Sequence, residues 1–304
     1  MADPTNTIQR SPVSREAPDL NYWIEERIRA TKPITLGREP MGELHPITPI
    51  GPPGHVLPEH GPVEKGFEPL GTLNLNTSGG GPVATPLSYP YRTCGRLFFN
   101  QGGGGFSGSA SLISPNVLLT AGHCVFNTGV WSTNMVFYPS YPSRASNDPA
   151  YKFAGGVMAC WTAWQTGGSR AYDYGMVWIG ANPAPGNLLG WLGLMWNGPT
   201  SGVTWDEVGY PGEPAPFNGN AMDGAQGTYA QAPISGTIGL TVDKMGHGSS
   251  GSPYITSFNN EVVPVHANSV KSYIVSDPPV VGYGPYFTAD VQTLFNYISN
   301  PANH

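Results

Sequence analysis

The spacing of apolar and polar residues changes character once along this chain, near residue 86. From Tyr89 onward, short apolar runs alternate with turn-forming residues, which predicts an all-β domain. The runs predict strands over 96–100, 109–113, 117–121, 134–138, 175–179, 203–210, 237–242, 253–256 and 262–265. A helix is expected over 290–299, where Asp290 can cap and Val291, Leu294, Phe295 and Ile298 share one face. Upstream, Leu20, Trp23, Ile24 and Ile28 fit a short amphipathic helix over 19–30, with Asp19 as cap and Pro33 ending it. Between Pro40 and Pro86 neither period survives. The runs Pro52-Pro53-Gly54 and Gly79-Gly80-Gly81-Pro82 predict a disordered linker over about 40–80. The chain thus divides into an N-terminal segment, 1–85, and a β domain, 86–304, with no internal repeat.

Composition sharpens this reading. The 304 residues include 41 Gly and 32 Pro with only 11% charged, which suits a loop-rich β protein and leaves little room for long helices. A net charge of −6 argues against nucleic acid or an anionic membrane as partner. No apolar run approaches the roughly 18 residues of a membrane-spanning helix. Met1-Ala2-Asp3-Pro4 lacks the basic and apolar regions of a secretory signal. Three cysteines, an odd number, leave at least one thiol without a partner in the chain. No Cys/His spacing resembles a zinc site, so neither metal nor cofactor is expected.

The chemistry lies in three places. Thr120-Ala121-Gly122-His123-Cys124 ends a buried strand and turns to present His123. Asp173 stands at the mouth of the apolar run 175–179. Gly248-Ser249-Ser250-Gly251-Ser252-Pro253 is a turn whose glycines allow a backbone that a β-carbon would block. A serine hydroxyl becomes a nucleophile when an imidazole takes its proton, and a carboxylate fixes that imidazole's tautomer. The amides of Gly248 and Ser250 can converge as an oxyanion hole. His, Asp and Ser follow in that order, 50 and 77 residues apart, so only folding can bring them together.

On these residues the chain from Tyr89 onward resembles the trypsin-like, chymotrypsin-fold serine endopeptidases, on the branch that includes the glutamyl endopeptidases. Gly95-Arg96-Leu97-Phe98-Phe99, Phe137-Tyr138-Pro139-Ser140-Tyr141, Gly209-Tyr210-Pro211 and Tyr283-Gly284-Pro285-Tyr286-Phe287 resemble landmarks of secreted microbial members. The segment from Tyr22 to Ala30 resembles part of their propeptides. The resemblance implies a double β-barrel with a C-terminal helix, secretion, a zymogen, and a monomer acting on a protein or peptide substrate. It makes His123 the general base, Asp173 its orienter and Ser250 the nucleophile.

Departures from the family also carry expectations. Ser249 stands where trypsin has an Asp, so activation through a new N-terminal ammonium is not expected. Cys124 lacks its usual partner on the preceding strand; Cys160 or Cys94 substitutes, or the thiol stays free and buried. For the pocket that receives the substrate residue on the acyl side, the resemblance points to Lys244, His266 and Ser269, with His247 at the cleft rim. His266 falls where glutamyl endopeptidases contact a glutamate, which implies an acidic preference, and Met245 departs from that pattern. Asp243 is a rival acid that belongs to the pocket wall. Two alternatives stand beside an endopeptidase: a catalytically silent, protease-like binding protein, and an esterase.

Overall fold

The strand-forming runs from Cys94 to Trp178 fold into one curled sheet, and those from Gly193 to Pro285 into a second. The structure is a computed structural model that describes residues 5–13, 19–61, 79–142, 151–257, 265–275 and 282–304. The N-terminal segment contributes β1 (Ile8–Arg10), α1 (Glu25–Ala30), β2 (Lys32–Pro33), β3 (Gly54–Val56) and β4 (Gly81–Pro82). Then follow β5 (Cys94–Gln101), β6 (Gly104–Ser114), β7 (Val117–Thr120), the single turn α2 (Gly122–Val125), and the hairpin of β8 (Phe126–Asn127) and β9 (Val130–Trp131). The first sheet is completed by β10 (Thr133–Pro139), β11 (Phe153–Ala154), β12 (Met158–Trp161) and, after α3 (Thr162–Gly167), β13 (Gly175–Trp178).

After α4 (Pro185–Leu189) the second sheet is built from β14 (Gly193–Trp196), β15 (Thr204–Gly209), β16 (Asp223–Gln231), β17 (Thr237–Leu240) and β18 (Pro253–Thr256). It ends with β19 (His266–Val270), β20 (Tyr273–Ile274) and β21 (Gly282–Pro285), and α5 (Ala289–Ser299) follows. Among the described residues the sheets hold nine and ten strands, in the orders β1-β12-β13-β7-β6-β5-β10-β11 and β20-β21-β17-β16-β15-β18-β19-β14-β3. Two strands join off these paths: β2 pairs with β6, and β4 with β16. The architecture is the all-β one that the sequence predicts.

Strand alternation explains how the halves join. In β7 Leu118 enters the first sheet's core with Leu97, Leu112 and Val177. Val117 and Leu119 point the other way, into a core shared with Val208, Ile255, Phe287 and the α5 residues Val291 and Leu294. These side chains are fully buried, and each contributes about 1.5–3 kcal/mol. The shared core fixes the end of β7, and so the His123 turn, against the second sheet.

Several expectations are corrected. The stretch 40–61 is held at several places: β3 pairs with β14, His45 bridges to Ala232 and Glu59 to Trp191. Buried Arg92 donates to the carbonyls of Leu189 and His60. Each piece pairs through its backbone with a different edge, so no side-chain period marks it; residues 62–78 of the expected linker lie outside the described residues. The N-terminal helix is shorter than 19–30, because the Asp19 side chain accepts from Asn21 N–H in a local turn and Ile24, half exposed, becomes the cap. Thr288, not Asp290, caps α5. Most of the expected strand 262–265 lies outside the described residues, and β19 starts at His266.

Candidate active site

His123 sits in α2 with its side chain fully buried. Its backbone N–H donates to Asp173 Oδ1 at 2.8 Å, and its ring Nδ1 lies 2.9 Å from Asp173 Oδ2. The turn requires glycine beside it, since a Cβ on Gly122 would lie 2.9 Å from Asp173 Oδ1. Asp173 follows a short 3₁₀ turn, Arg170–Tyr172, and lies two residues before β13. It also accepts the Ser272 hydroxyl at 2.5 Å, while Arg170 Nη1 stands 3.9 Å away.

Burial works against the charged form of both groups, and their mutual attraction outweighs it. The His123 imidazole is pushed up to about 10 from 6.5, and Asp173 is held below 3.8. With Nδ1 engaged, Nε2 is the remaining ring nitrogen; it is buried and makes no hydrogen bond among the described residues.

The serine turn packs beside this pair. Ser250 is 6% exposed, and its carbonyl accepts from Ser109 N–H in β6 at 2.8 Å. Gly248 and Gly251 have φ of +97° and +87°, values that favour glycine. Ser249 stabilises the turn locally, its hydroxyl donating to Gly246 O at 2.6 Å. Ser109 Oγ in turn donates to Gly248 O at 3.0 Å. Among the described residues the amides of Gly248 and Ser250 donate to no other backbone group.

The residues expected to set specificity are scattered. Lys244 is exposed beside Gly79, whose carbonyl accepts its backbone N–H at 2.8 Å. Its neighbours Asp243 and Met245 are the buried ones, because alternate residues of an extended segment face opposite ways. His266 is buried at the start of β19, edge-on to His55 with ring centroids 5.6 Å apart. A rise of about 3.3 Å per residue puts it about 13 Å from Val270, the end that reaches the site. Ser269 gives its hydroxyl to Pro285 O at 2.8 Å. His247 is half-buried, its Nε2 3.5 Å from Glu213, and burial lowers its pKa.

Three residues were not legible as site residues. Ser272 holds Asp173; its only sequence signal is a serine before an aromatic just past β19, the second strand after the nucleophile turn. Lys271 is buried on Asp243, with Glu207 at 3.5 Å and Met245 O at 2.8 Å. Burial would lower the Lys271 pKa, but Asp243 and Glu207 raise it. Arg170 joins Asp173 to Glu39 of the N-terminal segment. A charged residue in sequence gives no sign of such burial.

The three cysteines are free and buried. A Cβ on Gly108 would lie 3.1 Å from Cys124 Sγ, so the position facing Cys124 on β6 is a glycine. Among the described residues no group of three or more His, Cys, Asp or Glu has a metal-holding arrangement, and no helix is long and apolar enough to cross a membrane.

Solved structures share the fold that carries these residues. Protease Anisep from Arthrobacter nicotinovorans matches at 27% identity and TM-score 0.59, over 68% of this chain and 95% of that one. The thermostable serine protease AL20 from an extremophilic microorganism matches at 29% and 0.58, over 68% and 97%. The fold is the chymotrypsin-type fold of these serine proteases. A Glu endopeptidase shares the fold at 24% identity and TM-score 0.58, over 73% of this chain and 97% of that one. Among curated proteins, an extracellular metalloprotease of Bacillus subtilis (strain 168) is 26% identical over 231 residues, 72% of this chain and 67% of that protein. No family model matches.

Proposed function

We propose that this chain is a secreted serine endopeptidase in which Ser250, His123 and Asp173 form the catalytic triad. The pairing of His123 Nδ1 with Asp173 carries the reading, because it leaves Nε2 as the nitrogen able to take a proton. His123 Nε2 accepts the Ser250 proton as Oγ attacks the peptide carbonyl. The carbonyl oxygen, now negative, is held by the amides of Gly248 and Ser250. His123 then protonates the departing amine, and the C–N bond breaks to leave an acyl ester on Ser250. Water, deprotonated by His123, hydrolyses that ester and returns the proton to Ser250. The two serine or general protease relatives at 27% and 29% identity support this chemistry, and the relative named extracellular supports secretion.

The full chain is latent in this reading. A fully buried base and a nucleophile 6% exposed do not meet a substrate until the cleft opens. An acidic preference for the residue on the acyl side has no support from Lys244, His266 or Ser269. Met245 lies buried where that pocket is expected, and Lys271 is neutralised by its carboxylates. These features favour an apolar residue.

A fluorophosphonate probe tests the chemistry. One label per chain, absent from Ser250→Ala, is the expected result; no label on the wild type under any condition that opens the cleft favours the silent binding protein. Cleavage of a peptide mixture, read by mass spectrometry, then separates apolar from acidic preference, and amide against ester substrates separate peptidase from esterase.

A further inference from the structure

Residues 32–39 of the N-terminal segment pair with strands on two sides of the candidate site. On one side β2 runs parallel to β6, with Pro33 beside Ser107, and Ile34 N–H donates to Ser107 O at 2.8 Å. Ser107 lies two residues from Ser109, which holds the carbonyl of Ser250. On the other side Glu39 N–H donates to Ile274 O at 3.2 Å. Ile274 lies two residues from Ser272, which holds Asp173. One short stretch therefore reaches from the serine side of the site to the acid side.

Its last side chain is received specifically. Glu39 Oε1 accepts from Arg170 Nε at 3.0 Å and from Nη2. The guanidinium lies 5.6 Å from the ring centroid of Tyr273 and 5.9 Å from that of Trp164. A guanidinium seated among aromatic rings, with two N–H groups converging on one carboxylate, is a ready receptor for acidic side chains. A purely structural ion pair is the plainer reading. Against it, Asp173 already has three closer donors and does not need Arg170. The carboxylate that Arg170 does hold comes from a segment outside the β domain.

We infer that Arg170 is a specificity-determining residue that binds an acidic side chain of the substrate, and that Glu39 fills this subsite in cis, making residues 32–39 a tethered occupant of the cleft. The consequence for turnover rests on Ser250 being the nucleophile; the binding does not.

The test uses the full chain carrying Ser250→Ala, with Glu39→Gln, Arg170→Gln and Arg170→Lys added to it. Hydrogen exchange read by mass spectrometry is expected to quicken about tenfold over residues 32–39 in Glu39→Gln and Arg170→Gln, with β6 and β7 unchanged. A labelled peptide spanning residues 32–40 is then offered to the Glu39→Gln protein. It is expected to bind about tenfold more tightly with Glu at its position 39 than with Gln. Adding Arg170→Gln abolishes that difference, and Arg170→Lys, which keeps the charge but not the fork, retains part of it. Equal binding of the two peptides, or unchanged exchange over 32–39, overturns the inference. Fluorophosphonate labelling of chains that keep Ser250 separates the two readings. Discrimination without labelling removes the nucleophile and leaves the subsite; labelling without discrimination does the reverse.

Discussion

His123 is held by opposed effects, so its titration reports directly on its neighbours. Burial favours the neutral ring, while Asp173 and, less strongly, Cys124 favour the charged one and win, at about 10. Asp173→Asn removes the main attraction and leaves the burial. The His123 ring, followed by NMR, is then expected to titrate below its ordinary 6.5. A ring that still titrates near 10 in that variant would show that Asp173 is not what charges it. The thiols give a second check at this scale. All three are buried, and burial pushes Cys94 and Cys160 up to about 12. A thiol reagent at neutral pH is expected to modify none in the folded chain and all three after unfolding, counted by intact mass; a mass lower by one disulfide would contradict the free state.

Elements show where a missing side chain can be restored. Gly108 on β6 faces Cys124 on α2, and an added Cβ would sit 3.1 Å from its sulfur, a separation suited to a disulfide. Gly108→Cys is expected to oxidise onto Cys124 and close a short loop worth about 3 kcal/mol in urea unfolding. A variant that stays reduced, or gains nothing on oxidation, contradicts the facing of β6 and α2. In the N-terminal segment, Trp23 is the anchor before α1: it packs on Phe98 at 5.7 Å and donates to Asn134 O at 2.6 Å. Trp23→Ala is expected to cost about 3–5 kcal/mol of local stability. Exchange should rise over residues 19–34 while the β domain keeps its protection.

The same scale shows what the sequence makes legible. β7 and β18 could be placed because apolar runs between turn residues mark buried strands. β16, Asp-Gly-Ala-Gln-Gly-Thr-Tyr-Ala-Gln, is held by backbone pairing on both sides and carries almost no apolar pattern. The family resemblance points to His266 and Ser269, not to Lys271 and Ser272, because the length of β19, which decides what reaches the site, leaves no mark in side-chain type.

For the whole molecule, buried ionisable groups set the pH at which the fold is most stable. Asp173 is ionised more readily in the fold than at its ordinary 3.8, so its contribution is complete above 3.8 and is lost as pH falls through the lower folded value. His123 keeps its proton up to about 10 against an ordinary 6.5, so its contribution is complete below 6.5 and is lost as pH rises through about 10. Burial pushes Asp206 and Asp223 up to about 6 from 3.8; their contribution is present below 3.8 and is lost as pH rises through about 6. Buried Tyr174, Tyr210 and Tyr254 are raised above 10, so at alkaline pH the unfolded chain sheds their protons first and gains stability relative to the fold. Every one of these groups except Asp173 therefore lowers stability as pH rises. The urea midpoint of the full chain is expected to be highest near pH 4, to fall between about 4 and 6 as the unfolded chain ionises Asp206 and Asp223 first, and to fall again above 6.5. Asp173→Asn should flatten the profile between 6.5 and 10, because His123 no longer carries a proton through that range. A wild-type midpoint that stays level or rises between pH 7 and about 9.5 would mean that His123 and Asp173 are not a charged pair in the folded chain.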